Sequence, residues 1–321
     1  MHNLVIPPFS EEAAQAAQKR LDALAKVPRS LGRLEELAVR LAGITNRERP
    51  SFAGKGLVLF AADHDITLQG VSASGSEVTE IQVRNFLQGG GAINAFCRSA
   101  GASLTVVDVG VKGELEGAEG LVRRKVVHAA REEAKKGKTL LAAGEMGVGN
   151  TSPSSAITAV LTGAGVEVAT GVGSGIPSER VRKKAELIRQ GIELNRPDPG
   201  DALDVLAKVG GPEIGAMAGF MLGGASLRIP VVVDGFIAGA AAAIAIGLRP
   251  AVRDMLVGSH ASSEPGHRVL MDFLGIPSYF DFGLRLGEGT GAVLLFPIID
   301  ASTRILSEMP TLHELAIRRY Y

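Results

Sequence analysis

Leu57-Val58-Leu59-Phe60-Ala61-Ala62 is a continuous apolar run that ends abruptly in Asp63-His64-Asp65. A strand with one wet face alternates apolar and polar residues, whereas a run that is apolar at every position suits a strand covered on both faces. Similar runs recur outward along the chain at 103–109, 139–143, 166–170, 229–233 and 255–259. Between them, helical spacing of apolar residues predicts helices over 77–98, 178–190, 212–226, 237–246 and 264–273. Strand alternating with helix predicts an α/β fold, a mainly parallel sheet with helices on both faces. In such sheets ligands settle at the carboxyl ends of the strands, so the polar residues at strand exits become the candidate site.

The chain ends have a different character. Helical spacing over 11–25 and 31–44, separated by Pro28 with Ser30 as a candidate cap, precedes the first strand. Positions 291–309 and 312–319 are again helical, with Pro297 and Pro310 as interruptions. This pattern predicts a small helical domain from 1–50 with 298–321, beside a large α/β catalytic domain from 51–297. The 41 glycines have no three-residue period, which excludes collagen, and they cluster where apolar runs end. Lysine plus arginine (34) balances aspartate plus glutamate (34), so no net field holds a polyanion and no nucleic-acid partner is expected. The lone Cys97 cannot form an internal disulfide, and 1–10 lacks a basic segment leading into a long apolar run; a cytoplasmic location is expected. The apolar stretch 229–247 is interrupted by Asp234 and rich in alanine, which suits a buried strand and packed helix better than a membrane span.

The sharpest local feature is Gly144-Glu145-Met146-Gly147-Val148-Gly149-Asn150-Thr151. Glycines turn backbone amides toward a ligand, and the helix start that follows favours a phosphate or carboxylate. Glu145 is suited to receive sugar hydroxyls, or is simply a surface acid on a structural turn. Gly171-Val172-Gly173-Ser174-Gly175 follows another apolar run, with Lys184 in the next helix either supplying a positive charge or lying in solvent. Neither turn has the spacing of a dinucleotide fingerprint or of a triphosphate loop. Near the end, Leu286-Gly287-Glu288-Gly289-Thr290-Gly291 leaves room around one carboxylate, whose burial would raise its pKa and suit it to general-base work; a structural turn is the alternative. Asp63, His64, Asp234 and Gly235 occupy strand exits as ligand contacts or caps. His64, His260 and His267 do not form a close metal-ligand set, so no metal is expected.

Taken in order, Ser30–Glu35, Ala61–His64, Glu77–Thr79, Asn85–Leu87, Gly144–Thr151, Asp234–Ile237, Glu264–His267 and Leu286–Gly291 resemble the nicotinate-nucleotide:dimethylbenzimidazole phosphoribosyltransferases of cobamide lower-ligand synthesis. The resemblance implies a Rossmann-like large domain, a small domain from both termini, a homodimer and no cofactor. It implies transfer of the 5-phosphoribosyl group of nicotinate mononucleotide to an aromatic base, 5,6-dimethylbenzimidazole or a relative. By the same resemblance Glu288 is the general base; Glu145, Gly147, Gly173, Lys184 and Ser259 bind the phosphoribosyl group. Pocket lining falls to Asp63, His64, Ser74, Ser76, Gln82, Asp234, Gly235 and Leu286. The chain departs from the family at Asp65, often glycine, at Ser74-Gly75-Ser76, often Tyr-Pro-Gln, and at Gln82, often apolar. Those departures are expected to reshape the acceptor pocket. A nicotinamide-dependent oxidoreductase, or a nucleotide-binding protein without catalysis, is the competing reading of the glycine turns.

Overall fold

The computed structural model describes residues 4–112, the backbone of 122–123, and 129–317. Its centre is a parallel six-stranded sheet in the order β3-β2-β1-β4-β5-β6: β1 Lys55–Ala62, β2 Ala102–Gly110, β3 Val122–Arg123, β4 Leu140–Met146, β5 Val231–Val233 and β6 Leu256–Gly258. This is a doubly wound order, in which the chain runs outward from β1 to one edge and then from β4 to the other. β1 is buried from Gly56 to Ala62, as its unbroken apolar run predicts.

Helices cover the sheet. α10 (Pro212–Ser226) packs on β1, β2 and β4 and holds Phe220 edge-on against Phe60 with ring centroids 5.7 Å apart. α5 (Ala129–Lys135) and α11 (Phe236–Leu248) pack beside α10, and α12 (Pro265–Leu274) packs beside α11. α4 (Ala92–Ala100) lies on β2, and α13 (Thr290–Glu308) lies on β4 and β5 against α4. α1 (Glu11–Ala23) and α2 (Arg33–Thr45) complete the edge, and a separate small core joins Ala17, Leu21 and Leu24 to Ala38, Ala42 and Leu306. α13 is the one helix among the described residues long and apolar enough to cross a bilayer. Here Leu295, Phe296 and Ile299 lie in the main core.

Several expectations are corrected. Residues 166–170 are not a strand: Val166–Ala169 forms the short helix α7. Its Glu167 and Val168 face out, and β4, the strand before it in the chain, has no free side to pair with it, because β1 and β5 already flank β4. The helix expected over 77–98 is two, α3 (Glu77–Leu87) and α4, broken where Gly89 turns left-handed at φ 82°. Gly32, not Ser30, occupies the cap position of α2. Residues 311–317 are turns rather than a helix, and the remainder of the stretch expected to be helical, 318–319, lies outside the described residues.

Candidate active site

A cleft of about 570 Å³ opens at the carboxyl end of the sheet, where β1 and β4 send the chain in opposite directions. Glu145 and Met146 end β4 in its floor, and the turn Gly147–Thr151 carries the wall into α6 (Thr151–Thr162). Val71, Ser72, Ser74, Val78 and Gln82 line one end; Gly173, Ser174 and Arg285 line another, with Leu286 and Glu288 also in the wall.

Glu288 is the most constrained of these residues. Gly287, Glu288 and Gly289 are all left-handed, at φ 85°, 62° and 83°, immediately before α13. A non-glycine residue there is uncommon, and such strain persists only where the surroundings hold it. They do: a Cβ on Gly287 would strike the Glu145 carboxylate, and one on Gly289 would strike Leu57. Gly144 must likewise be glycine, because a Cβ would run into the Glu288 carbonyl. Asp234 ties the turn from below, its carboxylate accepting from Gly289 N at 3.1 Å and Ala292 N at 2.9 Å.

The result is a buried acidic group. Glu288 is 7 % exposed and accepts from the Ile93 amide in the first turn of α4 at 3.3 Å. Burial pushes its carboxyl above the ordinary range, Asp234 adds to the rise, and the Ile93 amide opposes it. Glu145 accepts from the Asn150 side chain and from the Glu288 amide at 3.4 Å. Burial raises it to about 8, despite the Asn150 hydrogen bond. Asp234 is raised by burial to about 6, although backbone amides pull it down. Among the described residues, none of the three carboxyls is paired with a lysine or arginine. Such a set favours a ligand that brings positive charge.

The opposite character lies under the second glycine turn. Lys184, 1 % exposed, donates to Thr151 Oγ1 at 2.7 Å and to the Gly171 carbonyl at 3.3 Å. Burial lowers its pKa to about 8, while Glu264 supports the charge. Gly173 N donates to Glu264 Oε1 at 2.9 Å, and Arg285 donates to the Gly173 carbonyl at 2.8 Å. Two cationic side chains thus converge on one turn at the rim of the cleft.

Of the residues expected from sequence, Glu145, Gly147, Gly173, Ser74, Gln82, Leu286 and Glu288 line this cleft. Lys184 lies beneath its rim: its Nζ is 3.4 Å from where a Cβ on Gly173 would sit. The others do different work. Ser259 is fully buried, bonding the Asp234 carbonyl at 3.1 Å and His260 Nδ1 at 3.1 Å. Asp234 is the tie just described, and with Gly235, which immediately precedes α11, it lines a smaller pocket beside the cleft that shares Glu145, Thr151 and Arg285 with it. Asp63 accepts from Lys112 N at 2.8 Å across β1 and β2. His64 faces Glu213 at 2.7 Å in a different cavity, and Ser76 is the residue before α3. Asp65 pairs with Lys112 away from the cleft, so that departure from the family pattern does not touch it. Sequence reading missed Ile93, Asn150, Ser174 and Arg285, of which Asn150, Ser174 and Arg285 stood within or beside the glycine-rich motifs. Among the described residues no cluster of three or more metal-ligating side chains forms. Cys97 is core, its thiol pushed up to about 12 by burial.

A doubly wound sheet with an acidic cleft at its switch point and a cationic rim defines an α/β enzyme built to handle a nucleotide. Comparison with known proteins narrows the class. A family described as Phosphoribosyltransferase (DBI_PRT) matches residues 6–131 and 124–317. The nicotinate-nucleotide–dimethylbenzimidazole phosphoribosyltransferase of Roseiflexus sp. (strain RS-1) is 44% identical over 97% of this chain and 96% of its own. That of Desulforamulus reducens is 45% identical over 96% and 95%. The crystal structure of CobT from Thermus thermophilus superposes with a TM-score of 0.92 at 41% identity, covering 96% of this chain and 99% of that one. The chain belongs to the nicotinate-nucleotide–dimethylbenzimidazole phosphoribosyltransferase family and is a pentosyl-transferring enzyme.

Proposed function

We propose that the enzyme transfers the 5-phosphoribosyl group of nicotinate mononucleotide to 5,6-dimethylbenzimidazole or a related base, giving α-ribazole 5′-phosphate and nicotinate, with Glu288 as the general base. The observation that carries the assignment is the buried carboxyl of Glu288, held by a left-handed turn in the cleft wall and raised above its ordinary pKa. A base works best when its pKa approaches the operating pH.

The chemistry needs little else. Nicotinate leaves with the electron pair of its C1′–N bond, which neutralises its ring nitrogen, so the leaving group requires no proton. The lone pair of one acceptor nitrogen forms the new bond on the opposite face of C1′, turning a β-linkage into an α-linkage. The other acceptor nitrogen gives its proton to Glu288. The donor ring is cationic and C1′ gains positive charge as the bond breaks; the ionised Glu288 faces that charge in a site of low dielectric, and Glu145, which burial keeps protonated, is driven toward its charged form by the same cation. Gly147, the Gly173 turn, Lys184 and Arg285 receive the phosphoribosyl group, while Ser74, Gln82 and Leu286 border the acceptor. Holding both rings for in-line attack supplies much of the rate.

The division into a small helical unit, 1–50 with 298–321, and a catalytic unit, 51–297, is supported by the separate small core, although α13 runs across the 297/298 boundary. Homodimer formation is supported by Phe282 and Leu286, 70 % and 58 % exposed near the cleft; sedimentation of the purified protein tests it. A cytoplasmic setting is supported by the single, buried cysteine. The reaction is tested by incubating the protein with nicotinate mononucleotide and a panel of benzimidazoles, purines and phenols, with products resolved by mass. Nicotinate release that depends on the acceptor, with a matching phosphoribosylated base, is expected. Nicotinate release without any phosphoribosylated base would overturn the transfer.

A further inference from the structure

One wall of the cleft is tied to the rest of the molecule through a single hydroxyl. Residues 71–74 belong to no helix or strand, and Val71, Ser72 and Ser74 line the end of the cleft that borders the acceptor. Val71, 3 % exposed, anchors the segment by burial. Its polar ties run to one residue: the Ala73 amide donates to Ser174 Oγ at 3.0 Å, and the Ser72 and Ser174 hydroxyls are 3.3 Å apart. Among the described residues, 71–74 make no other hydrogen bond to the protein.

Ser174 itself stands in the second glycine turn, at the opposite end of the same cleft. That turn has a firm base. It leads into α8 (Ser178–Asn195), which packs on α6 and on α9 (Ala202–Val209). Lys184 and Arg285 donate to its Gly171 and Gly173 carbonyls, and Glu264 accepts from the Gly173 amide. From α8, Lys183 also donates to the Gln69 carbonyl at 2.7 Å, just ahead of the segment. A loop with so few bonds of its own opens at low free-energy cost, so the acceptor wall takes its position from the glycine turn. We propose that Ser174 is a positioning residue that couples the two substrates: phosphate bound at the glycine turn fixes Ser174, Ser174 fixes 71–74, and the acceptor then meets a formed wall. The inference rests on the proposed transfer reaction, in which the donor phosphate and the acceptor occupy these two ends. A ligand that orders a shared element lowers the cost of binding for the next, and the coupling is reciprocal.

Ribose 5-phosphate is the probe, because it carries the phosphoribosyl group without a nicotinate to lose. Calorimetric titration of the protein with 5,6-dimethylbenzimidazole, alone and in excess ribose 5-phosphate, is expected to show the base bound about three- to tenfold more tightly in its presence, the worth of one or two hydrogen bonds. Ser174 is exposed, so Ser174→Ala removes the hydroxyl without touching the core, and it should bind the base equally in both conditions. Ser174→Thr, which keeps a hydroxyl, should restore most of the difference. A merely structural loss would weaken the base alike in both conditions and leave the ratio as it is in wild type. A wild-type ratio near one, or a ratio unchanged by Ser174→Ala, overturns the coupling while the transfer reaction stands. No binding of the base by wild type in either condition overturns both the coupling and the acceptor assignment.

Discussion

Glu145 and Glu288 share one wall of the cleft, and burial raises both, so their ionisation has consequences in two separate measurements. For Glu145, the ordinary value of 4.5 rises to about 8 in the folded protein. The folded state therefore holds a proton that the unfolded chain has released, and the associated stability is fully present below about 4.5 and lost as pH rises toward 8. Each unit of such a shift corresponds to about 1.4 kcal/mol. Glu145→Gln has no proton to lose, so urea denaturation at acid and alkaline pH should show the variant gaining on the wild type as pH rises. A difference that is flat with pH would mean Glu145 is ionised in the native protein. For Glu288 the readout is kinetic. Its raised pKa predicts that kcat/KM falls on the acid side of a midpoint above the usual carboxylate value, as the base is protonated. That limb should be missing from the residual activity of Glu288→Gln.

At the scale of elements, the site depends on how the start of α13 meets the end of β4. Asp234 accepts from Gly289 N and Ala292 N, two of the amides that a helix start leaves without partners. Asp234→Ala would leave both amides buried and unpaired, at a cost of about 2–4 kcal/mol in thermal or urea unfolding, and would release the turn that holds Glu288. Asp234→Asn keeps an acceptor for one of them and should lose less; equal losses would show that the hydrogen bonds are not what holds the turn. This level also shows what sequence could reveal. β1 and β4 were legible because their apolar runs are buried almost throughout, and β2, buried only at Val106 and Val107, from the apolar residues at its centre. Residues 166–170 read as a strand because Val166, Val168 and Ala169 mimic one locally, yet the sheet has no free edge at β4 to receive them. The break between α3 and α4 was written in Gly89-Gly90-Gly91 and outweighed by the apolar spacing on either side. The strand-exit rule located the cleft, while Asp63 and His64 at the exit of β1 lie outside its lining, and Ser259, taken from the resemblance, is bonded to the Asp234 carbonyl beside it. A residue at a strand end can turn toward a neighbouring strand or a buried helix start as readily as toward a ligand, and only packing decides which. Ile93 carried no signal at all, since it contributes a backbone amide rather than a side chain.

Across the whole molecule, charge is sorted rather than summed. The chain is neutral overall, with 34 basic and 34 acidic residues, yet its cleft places Glu145, Glu288 and Asp234 together without a cationic partner among the described residues. Lys184 and Arg285 stand at the second glycine turn. This separation suits a donor that carries a cationic ring at one end and a phosphate at the other. The doubly wound sheet makes it possible, because its switch point brings the end of β4, the turn before α13 and the start of α4 to a single place. Glu288 is where these three elements meet, and it is the residue on which the account stands. The most direct test is single-turnover nicotinate release from nicotinate mononucleotide with dimethylbenzimidazole, comparing wild type with Glu288→Gln and measuring donor binding alongside. The account predicts a fall of about 10²–10⁴-fold in the release step with donor affinity little changed. Release at the wild-type rate would contradict it.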